Sequence, residues 1–432
     1  MENSSISTRG TDARAPQFVA PAPSAPLMWM LGFVNRWLLV RRYFRVHTID
    51  FPSADRERLS QAVNKSTAAF LAPNHPEFGF DWMMDKELST HVAPKMASWA
   101  SHEIIETAPW FWRRNNLVPN NGGDDATRYS IEWALRGNGV LLHPEGMVHW
   151  TADRIHPLFP GVADMSIDAA REIERRGESR PTYIVPMIWK LRFTEDVSVA
   201  IHHEMSAIER GLDLPGGRGL RVADRFAELQ HNILARQMAR CRFDARSLKG
   251  LDVFNQQNAF RAWLVAELQS RYCVQLADTM ERTIHRLRRE IVSRATETMK
   301  KDLALATEAD RLGGFTRELY DTPMLSQEQL FESLKRHRAT LIRTGFRNVA
   351  HNFLPKPYGA RIAHVRVPDP IPIDATRTRD DVSRAAYVRE LLAETRARMQ
   401  STVDAINVEA AVEGRAFSHQ NPFAAHGAAR AA

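Results

Sequence analysis

The stretch LAPNHPEFGFDWMM, residues 71–84, sets Asn74, His75 and Asp81 at the end of an apolar run. A histidine titrates near neutrality and can take a proton from a hydroxyl, and a carboxylate beside it fixes its tautomer and steadies the charge it acquires. Taken alone, the stretch reads as a turn in which His75 caps a helix and Asp81 faces water. A second stretch shifts that balance. VLLHPEGMVHW places Pro144, Glu145 and Gly146 at the end of another short apolar run, where an α/β sheet presents its site. Glu77 and Asp85 compete with Asp81 as the partner carboxylate, and His143, His149 and Trp150 read as pocket wall or packing.

Between residues 65 and 205 short apolar runs alternate with helical stretches. TAAFLAP, APKMASWAS, NGVLLHPEG and TYIVPMIWKL are strand candidates bounded by Gly, Pro or Asn, and DDATRYSIEWALRGNG is a helix stopped at Gly137. This alternation predicts an α/β core over 65–204. From about 222 to 350 the pattern turns to long charged helices. Phe260, Leu264, Leu268, Tyr272, Leu276 and Met280, then Ile284, Leu287 and Ile291, trace one face of a single long helix. A mostly helical insertion is therefore expected over 205–358. RIAHVRVPDPIPID (361–374) returns to strand composition and a helix follows at about 379–408, so 359–411 should close the core, with 412–432 a flexible tail. No internal repeat is visible.

Residues 1–26, rich in Ser, Ala, Pro and Thr, read as a disordered leader rather than a signal peptide. LMWMLGFVNRWLLVRRYFRV follows at 27–46, interrupted by Asn35 and Arg36. Its unbroken apolar run falls well short of the roughly 20 residues a span needs. Its tryptophans, phenylalanines and arginines suit a helix lying in a membrane interface, and 27–64 is assigned as a membrane-interfacial helical region.

A net charge of +7 favours an anionic partner. Two cysteines, Cys241 and Cys273, support neither a disulfide framework nor a thiolate zinc site and fit a reducing cytoplasm. Nucleic-acid binding is disfavoured, because the basic helices lack a recognised module with stacking aromatics.

In order and separation, Asn74-His75 with Asp81, Pro144-Glu145-Gly146, and Val185-Pro186 on a later strand resemble the glycerolipid acyltransferase family, of the lysophosphatidate (1-acylglycerol-3-phosphate) acyltransferase type. The resemblance covers about 65–200, with 361–374 as a closing strand. It implies an α/β acyltransferase-type sheet flanked by helices, with the large insertion before the closing strand. It further implies transfer of a fatty acyl group from acyl-CoA or acyl carrier protein, as co-substrate, to the hydroxyl of a lysophospholipid, 1-acylglycerol 3-phosphate first among them. His75 would be the general base and Asp81 its orienting carboxylate, with backbone N–H groups near His75 holding the oxyanion. Pro144, Glu145, Gly146 and Asn74 would hold the acceptor.

No metal or bound cofactor is implied. The protein would sit in the cytoplasm, peripheral on the inner face of an anionic membrane. The chain departs from the family at two points. Five residues separate His75 from Asp81 where four are usual, and NNLVPNNGGDD offers Asn120 and Asn121 where an arginine normally grips phosphate. Lys95, Arg113, Arg114 and Arg128 are the replacement cations, with Arg114 and Arg128 assigned to the acceptor. The alternatives are another hydroxyl-lipid acceptor, or an inactive acyltransferase-like lipid-binding scaffold.

Overall fold

A computed structural model describes residues 18–77, 80–91, 96–146, 153–277, 279–342, 345, 348, 356–414 and 416–424. Strands β1 (Val46–Asp50), β2 (Ala68–Pro73), β3 (Ala97–Ala100), β4 (Leu117–Pro119), β5 (Gly139–Leu141) and β6 (Thr182–Phe193) alternate with helices α1 to α7. These are α1 (Ala25–Val34), α2 (Ser53–Ala62), α3 (Phe80–Ser89), α4 (His102–Thr107), α5 (Pro109–Arg114), α6 (Gly123–Leu135) and α7 (Gly161–Arg175). Six further helices follow: α8 (Ser198–Leu212), α9 (Val222–Arg240), α10 (Val253–Tyr272), α11 (Met280–Arg294), α12 (Met299–Gly313) and α13 (Gln327–Leu341), with β7 (Met324–Ser326) among them. The chain then forms β8 (Arg361–Arg366), β9 (Ile371–Pro372), α14 (Asp381–Val412) and β10 (Ser418–Gln420).

The main sheet runs β1-β8-β6-β2-β5-β3-β4, with β9 also pairing β6. It is mostly parallel; β8 and β9 run against β6. β2 shows why an uninterrupted apolar run marks a central strand. Ala69 and Leu71 enter the core beneath α2 and α3, whereas Ala68, Phe70 and Ala72 enter the core shared with α6 and α7. Both faces are dry. Burying Phe70 and Leu71, both fully enclosed, stabilises the fold by about 1.5–3 kcal/mol each.

Parallel pairing sets the site. Leu71 lies opposite Leu141 of β5, and Pro73 opposite Met187 of β6. The residues leaving β2 and β5 therefore emerge side by side at the carboxyl end of the parallel strands.

Four expectations are corrected. The single long helix is two: Cys273 turns left-handed at φ 54° and ends α10, and Thr279 caps α11 by accepting the Arg282 N–H. The apolar period crosses the break because both helices face the same core, while Leu276 in the connection is 68% exposed. The interfacial region 27–64 is helical only in part, since Val46–Asp50 pairs with β8 as an edge strand. The tail is not loose throughout: Ser418–Gln420 pairs with β7, and Phe423 is buried among the insertion helices. Nor is the leader free where it is described, because the Ala22 and Ser24 N–H groups donate to the Arg113 and Arg114 carbonyls. Residues 1–17 and 425–432 lie outside the described residues.

The 27–46 segment comprises α1 and a π-helical continuation, Asn35–Tyr43. Asn35 and Arg36, which interrupt the apolar run, fasten it to α3. The Asn35 amide donates to the Met83 carbonyl at 2.7 Å, and Arg36 pairs with Glu87. Outward, Trp29 is 78% and Phe33 62% exposed, with Trp37 and Leu38 beside them and Arg41 stacked over the Trp37 ring. Among the described residues no helix is long and apolar enough to cross a membrane.

Candidate functional site

Asn74 extends the β2–β6 ladder by one residue. Its backbone N–H donates to the Met187 carbonyl, its side-chain amide to the Trp189 carbonyl at 3.0 Å, and its Oδ1 accepts the Trp189 N–H at 2.7 Å. The side chain is a buried fastener, not a group open to substrate. With the strand end fixed, His75 follows at a defined height.

His75 Nδ1 lies 2.8 Å from Asp81 Oδ2. The contact is bent away from a well-aligned hydrogen bond, as catalytic pairs often are before substrate tightens them. Asp81 stands in the first turn of α3, where the helix dipole favours an anion, and its other oxygen accepts the Trp82 N–H at 2.7 Å. Burial opposes its ionisation, but the His75 and His143 charges and that N–H outweigh burial and hold the carboxyl below its usual range. The longer spacing to Asp81 is therefore compatible with contact; Phe78 and Gly79, within it, lie outside the described residues. Among the described residues none hydrogen-bonds His75 Nε2.

His143, expected as pocket wall or packing, stacks on His75 with ring centroids 4.3 Å apart and planes 19° from parallel. Its Nδ1 is 3.0 Å from the Asn74 carbonyl and its Nε2 3.4 Å from Asp85 Oδ2. Both nitrogens thus face oxygens; the doubly protonated ring donates to both, whereas a neutral ring would need the proton on Asp85. Burial lowers the ring, but the Asp85 and Asp81 charges and the Asn74 carbonyl outweigh burial and push it up to about 9. Burial, with the like charge of Asp81, also raises Asp85 against the pull of His143. We assign the pair's proton to the ring, which the Asp81 charge and the Asn74 carbonyl favour along with Asp85.

The donor atoms of His75, Asp81 and His143 lie within 4.8 Å of one another, a set that could suggest a metal. The geometry does not fit one. An imidazole holds an ion in its own plane, along its lone pair, and two stacked near-parallel rings share no such point; His143 moreover has both nitrogens committed.

Glu145 is 4% exposed, and its oxygens accept the backbone N–H groups of His75 at 2.9 Å and His156 at 3.0 Å. It braces the His75 loop rather than opening toward an acceptor. The His75 N–H is likewise committed and is not a free oxyanion donor. Burial raises the Glu145 carboxyl, opposed by the two N–H groups. Pro144 accepts the Phe159 N–H at 2.7 Å. Gly146 has φ 74°, which favours glycine, and a Cβ there would stand 2.7 Å from the ring of exposed Phe159, which would have to shift.

The competing carboxylate Glu77 is taken by Arg361: Oε2 to Nη1 is 2.6 Å, with both side chains at 4% exposure or less. Arg128 pairs with Asp125 in solvent, Arg113 donates to the Ala20 carbonyl, and Arg114 lies over the Trp110 ring. Lys95, His149 and Trp150 lie outside the described residues. Asn120 and Asn121, both exposed, follow β4, which is three strands from β2. At about 4.8 Å per strand that is roughly 14 Å from the dyad.

No family model matches the chain, and no curated protein does. Motif and geometry alone carry the functional reading.

Sequence reasoning missed the placement of His143 and Asp85 beside the dyad. The signal was present. His143 follows the same strand, β5, that singled out Glu145, and Asp85 lies one helical turn beyond Asp81, on the same face of α3.

Proposed function

We propose that the protein is an acyltransferase that moves a fatty acyl group from a thioester, acyl-CoA or acyl carrier protein, to the hydroxyl of a lysophospholipid, with 1-acylglycerol 3-phosphate the first acceptor to test. The observation that carries this reading is His75, held at the end of β2 with Asp81 against Nδ1 and no described residue on Nε2.

His75 Nε2 takes the acceptor's proton as its oxygen attacks the thioester carbon. The tetrahedral intermediate collapses, the C–S bond breaks, and the thiolate takes the proton back from His75. The products are an ester and a free thiol, and no protein nucleophile is consumed. Asp81 steadies the imidazolium between the two transfers. The mostly parallel sheet with an antiparallel β8 supports an acyltransferase-type arrangement, and the exposed aromatics of α1 support peripheral attachment to the inner face of an anionic membrane.

The experiment is acyl transfer by purified protein, read by mass spectrometry, from acyl-CoA or acyl carrier protein to lyso-lipids with and without a terminal phosphate. His75→Ala should lower turnover by roughly 10²- to 10⁴-fold with an unchanged circular dichroism spectrum. Undiminished turnover in that variant, or no transfer by the wild type to any lyso-lipid, overturns the proposal. Transfer only to acceptors without phosphate would preserve the chemistry and assign the exposed asparagines after β4 to a changed acceptor.

A further inference from the structure

The site holds two histidine–carboxylate pairs, not one. The second joins three elements: His143 leaves β5, its Nδ1 faces the carbonyl of Asn74 at the end of β2, and its Nε2 faces Asp85 of α3. Its ring covers one face of His75 at 4.3 Å. We propose that His143 is a positioning residue for the acyl-transfer step, a doubly protonated imidazolium that fixes the His75 ring against Asp81 and balances the charge of the α3 carboxylates as His75 takes the proton. This rests on the acyl-transfer reading of His75 given above.

The charge argument is short. With His143 protonated, its charge offsets Asp85 and acts on Asp81 as well. When His75 takes the acceptor's proton, the imidazolium it becomes meets Asp81 while Asp85 stays matched by His143, and a buried charge without a partner is costly. The groups facing His143 among the described residues are Asp81 and Asp85 from α3, His75 and the Asn74 carbonyl from the end of β2, and Glu145 from its own loop; Lys86 acts on Asp85 from the next position of α3.

The role differs from packing in what it predicts. His143→Gln keeps volume and a hydrogen-bond donor but removes the charge. It should lower kcat by about 10- to 100-fold, a part of the roughly 10²- to 10⁴-fold a general base supplies, while KM stays within about threefold. The wild-type kcat should fall as pH rises through about 9, where the ring loses its proton, and this fall should be absent in His143→Gln.

A second readout needs no turnover. With ¹⁵N-labelled histidine, the resonances lost in His143→Gln should show both ring nitrogens protonated at pH 7.5 in the wild type. His75 should show a single Nδ1–H tautomer that gives way to a mixture in His143→Gln or, if that variant does not fold, in Asp85→Asn. A neutral His143 at pH 7.5, or an unchanged His75 tautomer in both variants, overturns the inference. An unaltered kcat and pH profile in a folded His143→Gln does so as well. Absence of acyl transfer by the wild type defeats the acyl-transfer reading instead, and the two resonance tests then decide whether His143 is charged and positions His75.

Discussion

Removal of the Arg361 side chain tests how the site is held. The guanidinium is 2% exposed, contacts Glu77 Oε2 at 2.6 Å, and donates to the Phe44 carbonyl from Nε at 3.2 Å and Nη2 at 3.1 Å. Arg361→Met fills much of the same volume but leaves Glu77 buried without that cation and Phe44 without those donors. Breaking a buried pair from one side costs about 3–5 kcal/mol, and taking donors from a buried carbonyl up to about 1–3 kcal/mol. Since one movement relaxes both, about 4 kcal/mol is the expected total, a large share of the ~5–15 kcal/mol by which proteins are usually stable. Urea unfolding of the wild type, Arg361→Met, Glu77→Gln and the double variant should give a coupling of at least about 2 kcal/mol, because the double variant leaves neither member of the pair charged without the other. Glu77 lies two residues after His75, so Arg361→Met should also lower kcat. A single-variant cost under about 1 kcal/mol, or additive costs, would refute the reasoning.

Three further outcomes are expected. The His143 ring is raised to about 9 from an ordinary 6.5, so its contribution to stability is complete below pH 6.5 and is lost as pH rises through about 9. On the order of 3 kcal/mol is at stake at 1.36 kcal/mol per unit, and the melting temperature of the wild type should drop between pH 7 and 9.5 more than that of His143→Gln. Gly146→Ala, which meets both the positive φ and the Phe159 ring, should cost about 1–3 kcal/mol, read by thermal unfolding, and Phe159→Ala should recover only the steric part. Combined Trp29→Ser, Phe33→Ser and Trp37→Ser, at exposed positions of α1 and its continuation, should weaken binding to anionic liposomes without changing the melting temperature; unchanged binding would remove the interfacial role.

The alternating core was legible because each apolar run is a strand dry on one or both faces. AAFLAP and TYIVPMIWKL form β2 and β6 where composition places them. Long-range partners were not legible. No local pattern tells that Arg361 reaches back to Glu77, across 284 positions, or that Ser418–Gln420 finds Met324–Ser326. The α10–α11 break escaped the periodicity for a related reason: the fourfold repeat reports which core a face meets, and two helices facing one core repeat like one. At the site the sequence identified residue types better than duties. Asn74 and Glu145 were read as groups for substrate, yet both spend their hydrogen bonds on backbone, a use visible only once β2, β5 and β6 are paired.

Those duties converge on α3, ten residues long. It bears Asp81 against His75 and, one turn on, Asp85 against His143. Met83 and Glu87, the alternate members of the same two turns, receive Asn35 and Arg36 from the aromatic N-terminal segment. Met83 and Met84 enter the core beneath the sheet, so the helix cannot slide to satisfy one contact at the expense of another. Both site carboxylates are thereby referenced to the surface that exposes Trp29, Phe33 and Trp37. If that surface rests in a lipid interface, the height of His75 above the bilayer is set by a rigid helix rather than by a loop. An acceptor whose acyl chain stays in the membrane while its hydroxyl reaches His75 would need such a fixed height. A deletion that removed Asn35 and Arg36 along with the exposed aromatics would therefore disturb the dyad as well as attachment, and only the serine substitutions on the outer face separate the two.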